Sequence, residues 1–407
     1  MKLIVQKFGG TSVSTKENRD LVAKKITSAK QEGYGVIVVV SAMGRKGDPY
    51  ATDTLMSFVR NNSSEEVNPR ELDLLLSCGE VISAVLLSEV LKTKGHEAIV
   101  LNGAQAGIIT DDSFNNAKIL KVKPEKIYNY LNDNKIVIVT GFQGVTEDGE
   151  MTTLGRGGSD TTAAALGVAV DAEFVDIYTD VDGIKTADPR IVKDAKTLDV
   201  ITYTEICNLA HEGARVIHPR AVQIAMQKDI PLRIKCTFSD NPGTLVNNLG
   251  KRSNTVEIFG DRIITGIAHV ANVTQLKISI DNQDRDKNTQ LSLFNTLASN
   301  RISVDFININ PDRIIFTVQE NQTKNAIKLI ENLGIKVNAL VGCAKISSIG
   351  ANMAGVPGVM ASIVDSLTNE DIEILQTADS HTTIWCLVHG KDMENAVIAL
   401  HNKFKLS

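Results

Sequence analysis

Residues 2–11 read KLIVQKFGGT, and this short stretch indicates how the first half of the chain is built. An apolar run ends in a lysine, two glycines and a hydroxyl. Parallel sheets have strands that are apolar on both faces, and they bind ligands at the carboxyl ends of those strands. Lys7, Gly9 and Gly10 would lie at such an end, where glycine amides and a lysine charge suit a phosphate. The alternative is a strand-to-helix turn that carries a surface lysine.

Further apolar, β-branched runs follow at intervals and predict more strands of the same sheet. They are VIVVVSA (36–42), EAIVL (97–101), IVIVTG (136–141) and EFVDIYTD (173–180). Helical stretches separate them. The first begins at Ser14, with Glu17 three residues on as in a capping box, and it ends before Gly33. Alternating strands and helices predict a layered α/β domain.

Composition limits the class of protein. The 407 residues suggest two or three domains, and 43% hydrophobic with 22% charged residues is ordinary for a soluble globular protein. A net charge of -5 argues against a nucleic-acid partner. We also expect no secretory signal, no membrane-spanning run and a cytoplasmic location. The five cysteines form no CxxC pair, which favours reduced thiols over disulfides or zinc: Cys78, Cys207, Cys236, Cys343 and Cys386.

The chain changes character near residues 238–254, where Pro, Gly and Asn cluster. Beyond that point a weak repeat predicts two βαββα modules, with an extra strand, RIITGIAHV (262–270), before the first. The second module ends in its helix, so we expect the two modules to complete each other. The predicted division is a catalytic domain over 1–245, a linker over 246–261, and modules over 262–338 and 339–407.

A glycine-rich loop provides a second candidate anion site. Residues 152–167 read TTLGRGGSDTTAAALG, so a loop with one arginine runs into a helix that starts near Ser159 and Asp160. Loop amides, the helix N-terminus and Arg156 together would bind an anion. The alternative is a flexible loop before a helix. The chain has no GxxxxGK[ST] motif, which argues against a P-loop NTPase.

Glu80 lies in the apolar stretch LDLLLSCGEVISAVLLSEVL (72–91). Steps of three and four residues from Leu72 reach Leu76, Glu80, Ala84 and Leu87, so Glu80 falls on the apolar face of a helix. A buried carboxylate needs a cation or hydrogen-bond donors, or its pKa rises. Glu80 could receive the ammonium group of a substrate, or it could pair with a structural arginine.

Two further stretches carry charges near predicted ends of elements. Residues 178–190, YTDVDGIKTADPR, follow a strand and contain three aspartates without the spacing of a calcium-binding EF-hand. Residues 211–221, HEGARVIHPRA, bring Arg215 and Arg220 to a helix boundary. His211 and His218 flank Arg215, but their separation does not suit a metal pair, so we assign no metal cluster.

Five of these stretches occur together in one order: VQKFGGTS, VIVVVSAMG, LLLSCGEVIS, GFQGVTEDGEMTTLGRGGSDTTAAALG and IYTDVDGIKTADPR. Over essentially its whole length the chain resembles aspartokinases of the monofunctional type. The resemblance implies an amino-acid-kinase (carbamate-kinase-like) αβα sandwich with a mostly parallel sheet, followed by two ferredoxin-like ACT modules. It also implies phosphorylation of L-aspartate by ATP with Mg²⁺ carried by the nucleotide, the first step of lysine, threonine and methionine biosynthesis.

The same resemblance implies roles for individual residues. The catalytic residues would be Lys7 and Asp160. Aspartate would be held by Thr52, Glu80, Arg156, Gly157, Gly158 and Ser159. The nucleotide would contact Lys7, Phe8, Gly9, Gly10, Ser41, Tyr178, Thr179, Asp180, Lys185, Asp188, Arg190 and Arg215. Arg215 stands where many relatives have lysine, and the segment 44–55 that contains Thr52 is longer than in several relatives.

The ACT modules imply feedback by an amino-acid effector and at least a homodimer. Effector contacts would come from Asp281, Val356, Pro357, Gly358, Val359 and Thr377. The turn AGVPGV (354–359) enters a helix, whereas the first module has the unusual turn IDNQDRDKNTQL (280–291). Residues 41–55 and 202–210 resemble the diaminopimelate-inhibited subclass, which favours meso-diaminopimelate as effector, with lysine next. Two alternatives remain open: another kinase of the same fold, and a non-catalytic amino-acid sensor.

Overall fold

The computed structural model describes residues 1–63, 67–214, 216–248, 263–279, 287–351, 353 and 355–407. These residues form two compact units. The first unit contains the described parts of 1–184, 197–211 and 215–257. The second unit contains 185–196, 212–214 and the described parts of 258–407.

The first unit alternates strands and helices, as its sequence predicts. Its elements in chain order are β1 (Leu3–Phe8), α1 (Gly10–Val13), α2 (Lys16–Gln31), β2 (Gly35–Val40), α3 (Thr52–Asn62), α4 (Pro69–Leu76), α5 (Cys78–Thr93), β3 (Ala98–Leu101), β4 (Ile108–Thr110), β5 (Ile119–Val122), α6 (Glu125–Asn132), β6 (Ile136–Thr140), β7 (Gln143–Val145), β8 (Met151–Thr153), α7 (Gly158–Ala169), β9 (Phe174–Thr179), β10 (Val200–Ile201), α8 (Tyr203–His211), α9 (Pro219–Met226), β11 (Leu232–Cys236) and β12 (Thr244–Val246).

An eight-stranded sheet forms the centre of this unit, in the order β10-β12-β11-β9-β1-β2-β6-β3. Its neighbouring strands are parallel except for β11 and β12. The five strands predicted from sequence are the consecutive strands β9, β1, β2, β6 and β3, so that prediction is confirmed. Strands β5, β4, β7 and β8 form a separate small sheet.

Helices cover the large sheet and bury its apolar side chains. Ile26 of α2 and Leu87 of α5 belong to one core cluster with Ile4, Phe8 and Val38 of the strands. Successive side chains of a strand point to opposite faces, so Val5 and Lys7 face away from that cluster. The fold class predicted from sequence, an αβα sandwich with a mostly parallel sheet, is confirmed.

The cap of the first long helix differs from the predicted one. Thr15, not Ser14, is the N-cap of α2, and its hydroxyl accepts a hydrogen bond from the Asn18 amide at 3.1 Å. Ser14 already has a helical backbone because it ends the short helix α1, and its hydroxyl donates to the Thr11 carbonyl. The end of α2 before Gly33, whose φ is +90°, is as predicted.

Helices α4 and α5 run almost continuously over Pro69–Thr93, a stretch of 25 residues whose most apolar window has a mean hydropathy of 1.9. Length and composition alone would let this stretch cross a membrane, contrary to the expectation from sequence. Half of the window is buried within the protein, as in a core helix. The predicted apolar face is confirmed: Glu80 is buried together with Leu72, Leu76 and Leu87.

The second unit contains β13 (Gly266–Ser279), α10 (Lys287–Ser299), β14 (Asp305–Ile309), β15 (Arg313–Gln319), α11 (Thr323–Asn332), β16 (Val337–Ile349), α12 (Val359–Asn369), β17 (Gln376–Asp379), β18 (Thr383–His389) and α13 (Met393–Lys403). Its strands form one sheet in the order β14-β15-β13-β16-β18-β17.

The two predicted modules share the long central strands of this sheet. The extra strand predicted over 262–270 forms, where the structure describes it, the first half of the long strand β13. The register of β13 shifts between Val270 and Val273, and Asn272 there has a φ of +57°. The first half of β13 pairs with the end of β16, and its second half pairs with the start of β16. Each module therefore obtains one strand from the other.

Two short segments that the sequence division assigns to the catalytic domain belong to the second unit. In residues 185–196, the Thr186 hydroxyl lies 2.9 Å from His401 Nε2, and the Thr186 carbonyl accepts a hydrogen bond from the Ile267 amide. In residues 212–214, Glu212 forms a 3.0 Å ion pair with the buried Lys345. A single domain boundary at residue 245 cannot represent short segments before it that pack in the second unit.

Candidate active site

Four strands of the large sheet end side by side in the first unit. In the register of β1, Phe8 lies beside Val40 of β2 and beside Tyr178 of β9, and Val40 in turn lies beside Thr140 of β6. The segments that follow these strands therefore share one edge of the sheet. The KFGG stretch, the residues after Val40 and the residues after Tyr178 all lie there, as expected for a parallel sheet.

Lys7 and Asp160 form the central ion pair at this edge. Lys7 Nζ lies 2.7 Å from Asp160 Oδ1, and both side chains are only 12% exposed. Lys7 reaches Asp160 because its side chain points to the face of the sheet that is opposite the α2–α5 cluster. The backbone amide of His218 also donates to Asp160 Oδ2, at 3.3 Å. The two predicted catalytic residues are thus in direct contact.

The two glycines after Lys7 allow close approaches. Gly9 is the extended N-cap of α1, and a Cβ there would lie 3.5 Å from Lys7 Nζ. Gly10 packs against the chain after β2, where a Cβ would lie 2.5 Å from the Ala42 carbonyl oxygen. Any side chain at Gly10 would separate the KFGG turn from residues 41–44, which also carry the predicted nucleotide residue Ser41.

Glu80 is the buried acid of the site. It is 2% exposed, and its Oε1 accepts a hydrogen bond from the Ala42 amide at 3.0 Å. Its Oε2 is buried and has no hydrogen-bond partner among the residues that the structure describes. Burial raises the pKa of Glu80 to about 8, and the Ala42 hydrogen bond offsets only part of that shift. An unpaired buried carboxylate oxygen points to a cationic or donor ligand.

Ser159 reaches the same sheet edge from the start of α7. A Cβ added to Gly141, the residue after β6, would lie 2.8 Å from Ser159 Oγ. The Gly141 amide donates to the carbonyl of Val40, two residues before Ala42. Ser159 and Glu80 are therefore both anchored at the ends of β2 and β6. Gly158 begins α7, and a Cβ there would lie 2.7 Å from the Phe142 ring.

Arg156 is the exposed cation of the glycine-rich loop. It makes no hydrogen bond or ion pair within the described part of the chain. Gly155 and Gly157 on either side of it have φ values of +72° and +68°. The loop is tight at Gly157, because a Cβ at Gly157 would lie 2.2 Å from His218 Cβ. The Arg156 side chain is therefore presented by a closely packed backbone.

His218 and Arg220 are supporting residues whose contacts were missed from sequence. His218 caps α9 by accepting a hydrogen bond from the Arg220 amide, and burial lowers the pKa of its imidazole. The Arg220 guanidinium donates to the Leu154 carbonyl at 2.9 Å and to Asn116 Oδ1 at 3.1 Å. The His-Pro pair marks a helix start in the sequence, but nothing local to it indicates that α9 packs on the glycine-rich loop.

The predicted nucleotide residues divide into buried and exposed groups. Phe8 and Tyr178 are buried and stack with ring centroids 4.7 Å apart, so their side chains pack the strand ends. Thr179 and Asp180 follow, and Asp180 pairs with Arg45 at 2.7 Å on the surface. Arg45 lies in the segment after β2 and was not among the predicted site residues.

The remaining predicted residues are placed as follows. Thr52 is the first residue of α3 and is half-buried. Lys185, Asp188 and Arg190 belong to the second unit, where Asp188 and the exposed Arg190 pair with each other at 2.7 Å. Arg215 and Asp281 lie outside the described residues. The roles of all these residues stay predictions.

A cleft of about 820 Å³ lies at the start of α12 in the second unit; we call it the effector cleft. Four of the predicted effector residues line it, namely Val356, Gly358, Val359 and Thr377. Asp379, the last residue of β17, and His381, two residues further on, line it as well; neither was among the predicted effector residues. Pro357 is not among the lining residues.

Known proteins match this chain over its whole length. The model of the amino acid kinase family matches residues 2–236, and an ACT domain model matches residues 341–402. Aspartokinase 1 of Bacillus subtilis strain 168 is 53% identical over 407 residues, which is 100% of both chains. The aspartokinase of Geobacillus stearothermophilus is 39% identical over 100% of this chain and 98% of its own.

Solved structures agree with these matches. Escherichia coli aspartokinase III in complex with aspartate and ADP, described as the R-state, has a TM-score of 0.79 and 28% identity, with 99% of each chain covered. The T-state structure of that enzyme with lysine and aspartate has a TM-score of 0.77 and 27% identity, over 99% of this chain and 100% of the other.

Proposed function

The chain belongs to the aspartokinase family, and we propose that its candidate active site transfers the terminal phosphate of ATP to the side-chain carboxylate of L-aspartate. The product is the acyl phosphate 4-phospho-L-aspartate, the first intermediate of lysine, threonine and methionine biosynthesis. The observation that carries the assignment of the site is Glu80, whose buried Oε2 has no partner among the described residues.

An amino-acid ammonium group is the ligand that satisfies Glu80. A buried carboxylate with one free oxygen is costly unless a cation or donors reach it. An ammonium group supplies both charge and donors, and a nucleoside monophosphate supplies no such cation. In this proposal the α-ammonium of aspartate donates to Glu80 Oε2 while Ala42 keeps its hydrogen bond to Oε1.

Arg156 and Ser159 would hold the carboxylate end of the substrate. A guanidinium can grip a carboxylate with two parallel hydrogen bonds. Arg156 is exposed and unpaired within the described chain, and Ser159 lies at the sheet edge near the residues that hold Glu80. Thr52, Gly157 and Gly158 are assigned to the same pocket as hydroxyl and backbone contacts.

The transfer step needs positioning rather than a strong base. One oxygen of the aspartate side chain attacks the terminal phosphorus, and the bond from that phosphorus to the ADP oxygen breaks. A carboxylate with a pKa near 3.9 is already ionised at neutral pH. Lys7 would neutralise the phosphoryl charge that builds up during transfer, and Asp160 would keep the Lys7 ammonium at the sheet edge.

ATP would bind along the ends of β1 and β9, where Gly9 and Gly10 would offer backbone amides to its phosphates. Ser41, Thr179 and Asp180 would also line the nucleotide site. Mg²⁺ would arrive with ATP and would supply positive charge that offsets the charge of the phosphates. Asp160 is the buried carboxylate at the transfer point and would orient that cation. Lys185, Asp188, Arg190 and Arg215 stay assigned to the nucleotide as predictions.

The test of the reaction is chemical trapping of the product. Hydroxylamine converts acyl phosphates to coloured hydroxamates, so the purified protein with MgATP should produce hydroxamate only when L-aspartate is present. Glutamate and uridine monophosphate serve as controls for other kinases of the same fold. A protein that binds aspartate but forms no hydroxamate would be a sensor, and the assignment would be wrong.

The effector cleft is the proposed feedback site. It begins at Gly358, the N-cap of the 11-residue helix α12, where free helix amides suit the carboxylate of an amino acid. Asp379 provides a carboxylate for an ammonium group. We propose meso-diaminopimelate as effector, with lysine next, and coupling between such sites typically shifts affinity about 5–150-fold.

The effector assignment is tested on the full-length protein. Kinase activity is measured with meso-diaminopimelate, lysine and threonine separately, at aspartate concentrations near KM. Inhibition that Thr377→Val and Asp379→Asn weaken would support the cleft. If no end product changes the activity, the second unit has another role. We further propose at least a homodimer in the cytoplasm, and light scattering coupled to gel filtration measures the oligomeric state.

A further inference from the structure

Asp73 is a fully buried acid that neither the substrate nor the nucleotide assignment uses. It lies on α4 and is 0% exposed. Its Oδ2 accepts a hydrogen bond from the Thr153 amide at 2.7 Å, and its Oδ1 accepts one from the Thr153 hydroxyl at 2.6 Å. The Asn115 amide donates to both oxygens at 3.0 and 3.1 Å.

No lysine, arginine or histidine of the described chain forms an ion pair with this carboxylate. Burial raises the pKa of Asp73, and the hydrogen bonds from Thr153 and Asn115 act in the opposite direction. Burying an acid without a cation is costly, so the hydrogen bonds that Asp73 accepts must offset that cost. An ionised carboxylate only accepts hydrogen bonds, and no neutral side chain of that size can accept from two amides and a hydroxyl at once.

The bonds of Asp73 connect the two ends of the proposed aspartate pocket. Asp73 precedes Glu80 by seven residues, two turns of a nearly continuous helix, and both face the interior. Thr153 is the last residue of β8 and precedes Arg156 by three residues. One carboxylate therefore ties the helix that carries Glu80 to the loop that carries Arg156.

The second hydrogen-bond partner of Asp73, Asn115, belongs to a segment that also contacts the loop that carries Arg156. Asn115 is followed by Asn116, whose side chain accepts a hydrogen bond from Arg220, and Arg220 also donates to the Leu154 carbonyl. Gly155 packs on this segment, since a Cβ there would lie 3.1 Å from the Asn115 carbonyl oxygen. Residues 153–155 are thus held by Asp73 at one end and Arg220 at the other.

We infer that Asp73 is a positioning residue for substrate specificity: through Thr153 and Asn115 it fixes the Arg156 loop at the distance from Glu80 that an amino acid of aspartate length requires. The inference rests on the proposed function. A misplacement of about 1 Å in such a pocket costs up to about a hundredfold in rate. The effect falls on the use of aspartate, because none of these hydrogen bonds involves the strands assigned to ATP.

The test compares three variants of the full-length protein. Asp73→Asn keeps the size but turns one acceptor into a donor that faces other donors. Thr153→Val removes only the 2.6 Å hydroxyl bond to Asp73. Thr152→Val is the matched control. Thr152 precedes Thr153 on β8 and is equally buried, but its hydroxyl lies 2.7 Å from the Thr110 hydroxyl and not near Asp73. Thermal midpoints, kcat/KM for aspartate and KM for ATP are measured for each.

We expect kcat/KM for aspartate to fall at least about tenfold in Asp73→Asn and by a smaller factor in Thr153→Val, with KM for ATP within about twofold. Thr152→Val should lower the thermal midpoint without this selective loss. If Asp73→Asn does not fold, Thr153→Val decides. An unchanged kcat/KM for aspartate, or an equal loss in Thr152→Val, would overturn the inference.

The unaltered protein separates this inference from the proposed function. If it forms no aspartate-dependent hydroxamate, the proposed function fails and the positioning role fails with it. If it is active and the Asp73 and Thr153 variants behave like Thr152→Val, only the positioning role fails.

Discussion

In our proposals the candidate active site and the effector cleft both bind amino acids, yet the two regions differ in how tightly they are packed. The active site combines buried charges with backbone contacts that leave no space, as at Glu80, Lys7 and Gly10. The effector cleft lies at a helix start where glycines are open: a Cβ at Gly355 or Gly358 would meet nothing within 4 Å. The residues that line the effector cleft include the exposed Val356.

This difference predicts different responses to mutation. Removing one member of a buried ion pair leaves an uncompensated charge, so it is strongly disruptive. A cleft that offers helix amides and exposed side chains loses little stability when one side chain changes. Active-site variants should therefore alter catalysis and folding together, and cleft variants should chiefly alter regulation.

The largest effect is expected for Lys7→Ala. Its ammonium would stabilise charge that develops during phosphoryl transfer, and the loss of one such group costs about a hundredfold or more in kcat. Turnover at saturating aspartate and ATP measures it. Lys2→Ala is the control at the other end of β1, because Lys2 is exposed and, among the described residues, forms an ion pair with Glu173 alone. A kcat within twofold of the unaltered protein would remove Lys7 from the mechanism.

Glu80→Gln should have the next largest effect. Glutamine keeps the shape and can still accept a hydrogen bond from the Ala42 amide, but it has no charge for the substrate ammonium. Lost hydrogen bonds to charged groups cost about 1.5–3 kcal/mol, so KM for aspartate should rise about tenfold or more. KM for ATP should not change. Ser83→Ala, one turn along α5, is the control, since the Ser83 hydroxyl donates a hydrogen bond to the Gly79 carbonyl within its own helix.

Two glycine variants compare the packing of the two regions directly. Gly157→Ala puts an alanine in a left-handed backbone conformation and places its methyl group 2.2 Å from His218 Cβ. The loss in free energy of unfolding should therefore exceed the loss from backbone strain alone. Gly358→Ala also has a positive φ, of +92°, but its methyl group meets open space. Backbone strain alone costs about 1–3 kcal/mol. Urea unfolding should show the larger loss for Gly157→Ala, and equal losses would contradict the packing argument.

The smallest effect is the pH dependence set by Glu80. Its pKa in the empty site is about 8, raised from the ordinary 4.5 by burial, so most of it is protonated at pH 7. Ammonium binding favours the ionised form, so aspartate should displace up to one proton, and its affinity should rise with pH until about 8 and then level off.

The stability of the empty protein changes with pH in the direction opposite to the affinity for aspartate. Below pH 4.5 Glu80 is protonated in both folded and unfolded chains and adds no penalty. Between pH 4.5 and about 8 the unfolded chain releases this proton while the folded chain holds it, so Glu80 destabilises the empty protein increasingly. Titration calorimetry in two buffers of different ionisation enthalpy measures the proton released on aspartate binding. Glu80→Gln should abolish this release, and a release that persists would exclude Glu80 as its source.

The sequence alone determined the five central strands of the large sheet and the helix that carries Glu80. Periodicity shows which runs are buried, and five predicted strands became neighbours in one sheet. The same periodicity placed Glu80 on the apolar face of its helix. Such features depend on residues within a few turns of each other, so local patterns encode them.

The tertiary structure decided which distant residues meet. Asp73 and Thr153 are 80 residues apart, and Lys345 meets Glu212 across 133 positions, so no local pattern reports either contact. The assignment of residues 185–196 and 212–214 to the second unit is of the same kind. Burial then gave these pairs their energetic weight, because a charge costs little on the surface and requires a partner only when the fold removes it from water.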